Sequence, residues 1–154
     1  MSLFWYRHPL TDLVFDVVAG AIRKIYFPEL FPEQLTALEE GLDKTIKEQF
    51  DEYFAGNRKV FDLCYNISGS PFQKEVLTEL ALVAYGTHIS YADLAERVNR
   101  PQAMRAVGMV MKHNPLPILL PCHRIVGRNG ALTGYAGGLA LKEKLIYLEM
   151  RHIS

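Results

Sequence analysis

Pro115, Pro117 and Pro121 fall within seven residues of one another, and that run constrains the chain more than any other feature. A proline inside a helix removes a backbone donor, clashes with the preceding turn and pushes its own predecessor toward extended backbone. No helix can cross 115–121. Glycines then recur from Gly127 to Gly138, so the irregular stretch continues as a punctuated loop. The second half of the chain must therefore fold around a rigid, non-helical segment.

Helical patterns flank it. Ser70-Pro71-Phe72-Gln73 is a helix start, with Ser70 as cap, Pro71 in the first turn and Gln73 completing a capping box. Phe72, Val76, Leu77, Leu80 and Val83 form its buried stripe, and Tyr85-Gly86 stops it. Ser90-Tyr91-Ala92-Asp93 starts a second helix that ends near Val98. The turn Asn99-Arg100-Pro101 leads to a third over about 102–111, and the loop ends in a helix over about 139–150. Two short helices joined by a tight turn suggest a helix-turn-helix.

The first half is mixed. Leu13 to Phe27 is rich in β-branched and aromatic residues and breaks at Ala19-Gly20, which predicts a hairpin. From Phe31-Pro32 a helical spacing runs through Leu35, Leu38, Leu42, Ile46, Phe50, Tyr53 and Phe54 to Gly56-Asn57. That helix is acidic, with seven carboxylates against Lys44 and Lys47 between Glu33 and Phe54. Val60 to Tyr65 reads as a further strand. The expected fold is α+β. A small N-terminal mixed domain (1–66, antiparallel sheet plus helix) packs on a helical C-terminal domain (67–154) with a winged-helix-like helix-turn-helix.

Charge narrows the function. Lys+Arg 17 balances Asp+Glu 17, which excludes a globally basic coat but not a local basic face. Arg97, Arg100, Arg105, Lys112, Arg124 and Arg128 occur in 32 residues with no carboxylate among them. Such a block is either a solvated face or a surface for a polyanion. Two cysteines exclude a disulfide framework and a Cys-rich structural metal site, and residues 1–60 contain none, so no metal is expected. No apolar run reaches the roughly 20 residues that span a bilayer. No membrane partner is expected, and the expected location is cytoplasmic, or nuclear in a eukaryote.

Pro121-Cys122-His123-Arg124 carries the chemistry. A free thiol is only a few per cent ionised at neutral pH, and a nearby imidazole held by a carboxylate can take its proton. Prolines and the apolar run Ile118-Leu119-Leu120 can hold such a thiol in a dry pocket. Cys64, in an apolar strand pattern, reads as an ordinary core residue.

Asn114-Pro115-Leu116-Pro117-Ile118-Leu119-Leu120-Pro121-Cys122-His123-Arg124-Ile125-Val126 closely resembles the active-site signature of the O6-alkylguanine-DNA alkyltransferases, also called methylated-DNA–protein-cysteine methyltransferases. Arg105-Ala106-Val107-Gly108 resembles that family's recognition helix. Tyr85-Gly86 with Ile89-Ser90-Tyr91-Ala92-Asp93-Leu94-Ala95 resembles its first DNA-binding helix. Gly134-Tyr135-Ala136-Gly137-Gly138, Lys142 and Leu148-Glu149 resemble its closing loop and last helix. The resemblance spans about Ser70 to Glu149.

It implies DNA repair by direct reversal of alkylation. Cys122 takes the alkyl group from guanine O6 irreversibly, once per molecule, without a cofactor. His123 acts on the thiol through a water, Glu149 orients His123, and Asn114 shapes the turn. Neighbours on a regular strand face opposite ways, so Cys122 and His123 need that turn. The base is flipped out of the duplex. Arg105 fills the vacated stack, and Tyr91 rotates the phosphate and donates to the base. Ala103, Ala106 and Gly108 allow close approach to the minor groove, and Arg124 adds a DNA contact. Tyr135, Ala136, Gly137, Ile125 and Met111 line the base pocket. Met104 and Met109 depart from the small residues common there. The implied partner is double-stranded DNA carrying O6-alkylguanine, met by a monomer. The alternatives are a non-catalytic sensor of alkylated DNA, a helix-turn-helix regulator and a cysteine hydrolase. The first conflicts with the presence of Cys122, the second leaves Pro-Cys-His-Arg unexplained, and the third lacks an oxyanion site.

Overall fold

A computed structural model describes residues 2–30 and 40–153. They form a mixed α/β fold with five α-helices, divided into two compact units, 1–66 and 67–154.

In the first unit, β1 (Ser2–Tyr6), β2 (Leu13–Val18) and β3 (Ala21–Tyr26) form an antiparallel sheet in that order. The hairpin is the expected one. Its two turn residues, Ala19 and Gly20, both have positive φ, 51° and 81°, which suits the right-handed twist of the flanking strands. The strand β1 lies in a segment with no turn-flanked alternation to announce it. The sheet packs on α1 (Lys44–Phe54) through aromatic side chains. Phe15 meets Phe50 edge-on at 4.9 Å, and Tyr6 donates its hydroxyl to Asp51 at 2.7 Å.

Two expectations for this unit need correction. The acidic helix does not run continuously through 40–43; α1 starts at Lys44, where Asp43 caps it by accepting from the Thr45 and Ile46 amides. Residues 40–43 are non-helical, and the part of the expectation over 31–39 lies outside the described residues. Val60 to Tyr65 is not a strand. Only an isolated bridge joins Tyr65 to Ile22, with the Ile22 amide donating to the Cys64 carbonyl at 2.9 Å. Cys64 is accordingly exposed rather than a core residue.

In the second unit, α2 (Pro71–Leu80) and α3 (Tyr91–Arg97) each begin with a complete capping box, from Ser70 with Gln73 and from Ser90 with Asp93. The α2 helix stops at Leu80, before Tyr85-Gly86. Residues 83–86 instead make a turn that the site uses. The α4 helix (Met104–Lys112) buries Val107, Val110 and Met111. A short 3-10 turn, Cys122–Arg124, runs into β5 (Ile125–Val126). That strand pairs in parallel with β4 (Ile89–Ser90), Ile89 opposite Ile125 and Ser90 opposite Val126. The α5 helix (Leu139–Arg151) follows Gly138, whose φ of 93° suits a residue without a side chain. Among the described residues no helix is long and apolar enough to cross a membrane.

Candidate active site

The proline-rich segment holds its shape through Asn114. Its Nδ2 donates to the Leu120 carbonyl at 2.9 Å, and its Oδ1 accepts from the Leu116 amide at 3.0 Å. One side chain thus closes the loop from both ends, across Ile118 at a φ of 73°. The clamp delivers Cys122 to the 3-10 turn, where it is 7% exposed. Burial pushes its thiol pKa up to about 11, against the Asn114 hydrogen bond and the Lys142 charge, which pull it down. The resting group is a neutral thiol, so a base is needed to ionise it.

His123 is fully buried. Its Nε2 lies 2.6 Å from Glu149 Oε2. A carboxylate can only accept, so Nε2 carries the proton and Nδ1 is the basic nitrogen of the neutral ring. Burial lowers the imidazole pKa and outweighs the carboxylate, so the ring is neutral at rest. Burial would raise the Glu149 pKa, but hydrogen bonds and charge from His123 and Arg124 hold it well below the carboxylate range.

Glu149 is saturated by donors. Oε1 accepts from Arg124 Nε at 2.8 Å and from the Gly86 amide at 3.1 Å. Oε2 accepts from His123 and from Arg124 Nη2 at 3.0 Å. Arg124 also donates from Nη1 to the Val83 carbonyl at 2.6 Å and stacks over the Tyr85 ring. This corrects the reading of Arg124 as a DNA contact. Its guanidinium is buried and its fork is spent on Glu149, so it anchors the carboxylate from inside. Val83 and Gly86 were missed as site residues because backbone groups leave no side-chain signal. The Tyr85-Gly86 pair was visible as a helix stop and as part of the resemblance to a DNA-binding helix, not as a partner of Glu149.

The remaining candidates range from the surface to the core. Tyr91 starts α3, and its hydroxyl meets Thr133 Oγ1 at 2.9 Å. Thr133, not singled out from sequence, also accepts at its carbonyl from Lys142 Nζ at 2.8 Å. Tyr91, Met104, Arg105, Arg128 and Thr133 line a cleft of about 840 Å³, in which Cys122 takes no part. Ala103 and Gly108 are half-buried, while Ala106, Met104 and Met109 are exposed. Ile125 and Met111 are buried, Tyr135 and Gly137 half-buried, and Ala136 exposed. Of the six cations in the basic block, Arg124 is buried and Arg100 pairs with Glu75 at 2.8 Å. Among the described residues Arg97, Arg105, Lys112 and Arg128 are in no ion pair.

The second unit thus combines a buried thiol, an imidazole at the next position in sequence that is hydrogen-bonded to a buried carboxylate, and a cleft lined by arginines. The profile described as "6-O-methylguanine DNA methyltransferase, DNA binding domain" matches residues 71–151. The constitutive methylated-DNA–protein-cysteine methyltransferase of Bacillus subtilis is 54% identical over 91 residues, 59% of this chain and 55% of that protein. The methyltransferase of that name from Mycolicibacterium paratuberculosis is 47% identical over 105 residues, 68% of this chain and 64% of that one. The matched stretches thus span less than two thirds of these two relatives. The crystal structure of Mycobacterium tuberculosis OGT in complex with DNA superposes with a TM-score of 0.89 at 30% identity, covering 99% of this chain and 94% of that one. The chain belongs to the O6-methylguanine DNA methyltransferase family.

Proposed function

We propose that this protein repairs DNA by direct reversal, moving the alkyl group of O6-alkylguanine onto its own Cys122. The observation that carries the reading is the buried His123–Glu149–Arg124 cluster behind the thiol. The thiol S–H bond breaks and its proton passes to His123 Nδ1 through a water. The sulfur pair forms a bond to the alkyl carbon. The C–O6 bond breaks with its pair going to guanine, which takes up a proton that Tyr91 supplies as general acid. The thioether is stable, so each molecule reacts once and needs no cofactor.

The target base is extruded from the duplex. The α3–turn–α4 pair acts as a helix-turn-helix of winged-helix type, with α4 in the minor groove and the protein bound as a monomer. Ala103, Ala106 and Gly108 allow the close approach. Arg105, exposed in the cleft, fills the vacated stack. Tyr135, Ala136, Gly137, Ile125 and Met111 shape the base pocket. The domains act as 1–66 and 67–154.

Mass spectrometry after mixing with a duplex carrying O6-methylguanine tests the reading. One added methyl group on the Cys122 peptide, with guanine restored, is expected, and Cys122→Ser abolishes it. A folded protein that gains no mass overturns it.

A further inference from the structure

Lys142 has no place in the chemistry above, yet its side chain is among the largest fully buried ones, at 1% exposure. It lies on the inward face of α5 with Leu145 and Glu149, two turns before Glu149 and about 10 Å from it along the axis. Its Nζ donates to the Thr133 carbonyl at 2.8 Å. Among the described residues no carboxylate pairs with it. An ammonium carries three donors, and burying one with a single carbonyl acceptor is costly.

A buried cation of this kind needs an anion, and the one anion the site creates is the thiolate. The groups that face the two residues come from three elements. Asn114 in the proline loop and the Lys142 charge on α5 both pull the thiol pKa down, and Cys122 bears in turn on Tyr135 of the glycine loop. Lys142 and Arg124 both act on His123, and Glu149 offsets them there. Burial lowers the Lys142 pKa, and Cys122 raises it in return.

We propose that Lys142 is a positioning residue whose buried ammonium is the counter-charge for the Cys122 thiolate, held in place by the Thr133 carbonyl. The proposal rests on the reading of Cys122 as acceptor. The sulfur is neutral as a thiol and neutral again as a thioether. Lys142 therefore stabilises a charge that exists only between proton loss and alkyl capture, and such a contact lowers a barrier rather than tightening binding.

The experiment compares Lys142→Gln, Lys142→Met and Lys142→Arg in the full chain. Gln keeps a donor for Thr133 without the charge, Met removes both, and Arg keeps both. Two rates are measured, the first across about pH 6 to 10 and the second up to about pH 12 so as to bracket a thiol midpoint near 11. One is methyl transfer from an O6-methylguanine duplex in a single turnover. The other is modification by iodoacetamide, read on the Cys122 peptide so that Cys64 does not interfere. Loss of the charge is expected to slow transfer at neutral pH by about tenfold and to move the iodoacetamide midpoint up by about one pH unit. Arg restores both. Folded Gln and Met variants with the wild-type midpoint overturn the proposal. Should Gln fail to fold by circular dichroism, Met, an apolar replacement for a buried charge, decides on the same midpoint. If no variant reacts with the duplex, the substrate reading fails, and the iodoacetamide midpoints still decide the role of Lys142.

Discussion

Glu149→Gln removes one oxygen from a carboxylate that accepts four hydrogen bonds from three residues. Either orientation of the amide sets an NH2 group against two donors. With Oε1 replaced, it faces Arg124 Nε and the Gly86 amide; with Oε2 replaced, it faces His123 Nε2 and Arg124 Nη2. The Arg124 charge also stays buried without its counterion. Breaking one side of a buried ion pair costs about 3–5 kcal/mol. For a chain of this size that is a Tm fall of roughly 6–20 °C. The pH dependence has a definite sign. Glu149 is held far below its unfolded value of about 4.3, so its contribution is fully present above that value and lost as pH falls toward the folded pKa. The gap between wild type and variant is therefore widest at pH 7 and narrows toward about pH 3.5. Urea unfolding followed by far-UV circular dichroism measures it, since four of the five α-helices among the described residues lie in the second unit. The single tryptophan, Trp5, reports the other unit. A loss under about 1 kcal/mol, or a gap that does not change with pH, refutes the reasoning. A cycle with Arg124→Met is expected to show coupling of about 2–3 kcal/mol, and additivity counts against the ion pair.

Three other perturbations follow from the geometry. Gly86→Ala puts a Cβ 2.4 Å from Ile153 Cγ1 at a φ of +76°, next to the amide that serves Glu149; a loss above about 2 kcal/mol is expected in the same denaturation assay. Ala19→Gly relieves a positive φ in the hairpin and is expected to raise the Trp5 fluorescence midpoint by about 1 kcal/mol equivalent, whereas a lower midpoint contradicts the turn assignment. Arg105→Ala is expected to cut the transfer rate by more than tenfold with little change in duplex affinity; if it only reduces the salt slope by about one, Arg105 is a phosphate contact.

Much of the second unit was legible because its signals are local. Ser70 with Gln73 and Ser90 with Asp93 are short-range hydrogen-bond patterns, and the structure contains both boxes. The cluster of Cys122, His123, Glu149 and Asn114 was legible through the order of motifs, since spacing alone does not bring residues 123 and 149 together. Arg124 was misread because its charge looks the same inside and outside a fold. Only the Glu149 fork and the Val83 carbonyl reveal which side it takes. The β4–β5 ladder was invisible because two residues per strand carry no periodicity. In the first unit, the cap at Asp43 was not read from the sequence, although it accepts directly from two amides at the start of α1.

That two-residue ladder has a consequence for how the molecule breathes. The thiol segment is tied to the stretch 83–90 at three places: the ladder, the Arg124 bond to Val83, and Glu149, which Gly86 and His123 share. Neither stretch can loosen without undoing bonds of the other. Amide protons from 83–90 and from 122–126 should thus exchange with solvent at one common opening free energy, as a single cooperative unit. The start of the Tyr91 helix and Cys122, more than thirty residues apart in sequence, open and close as one.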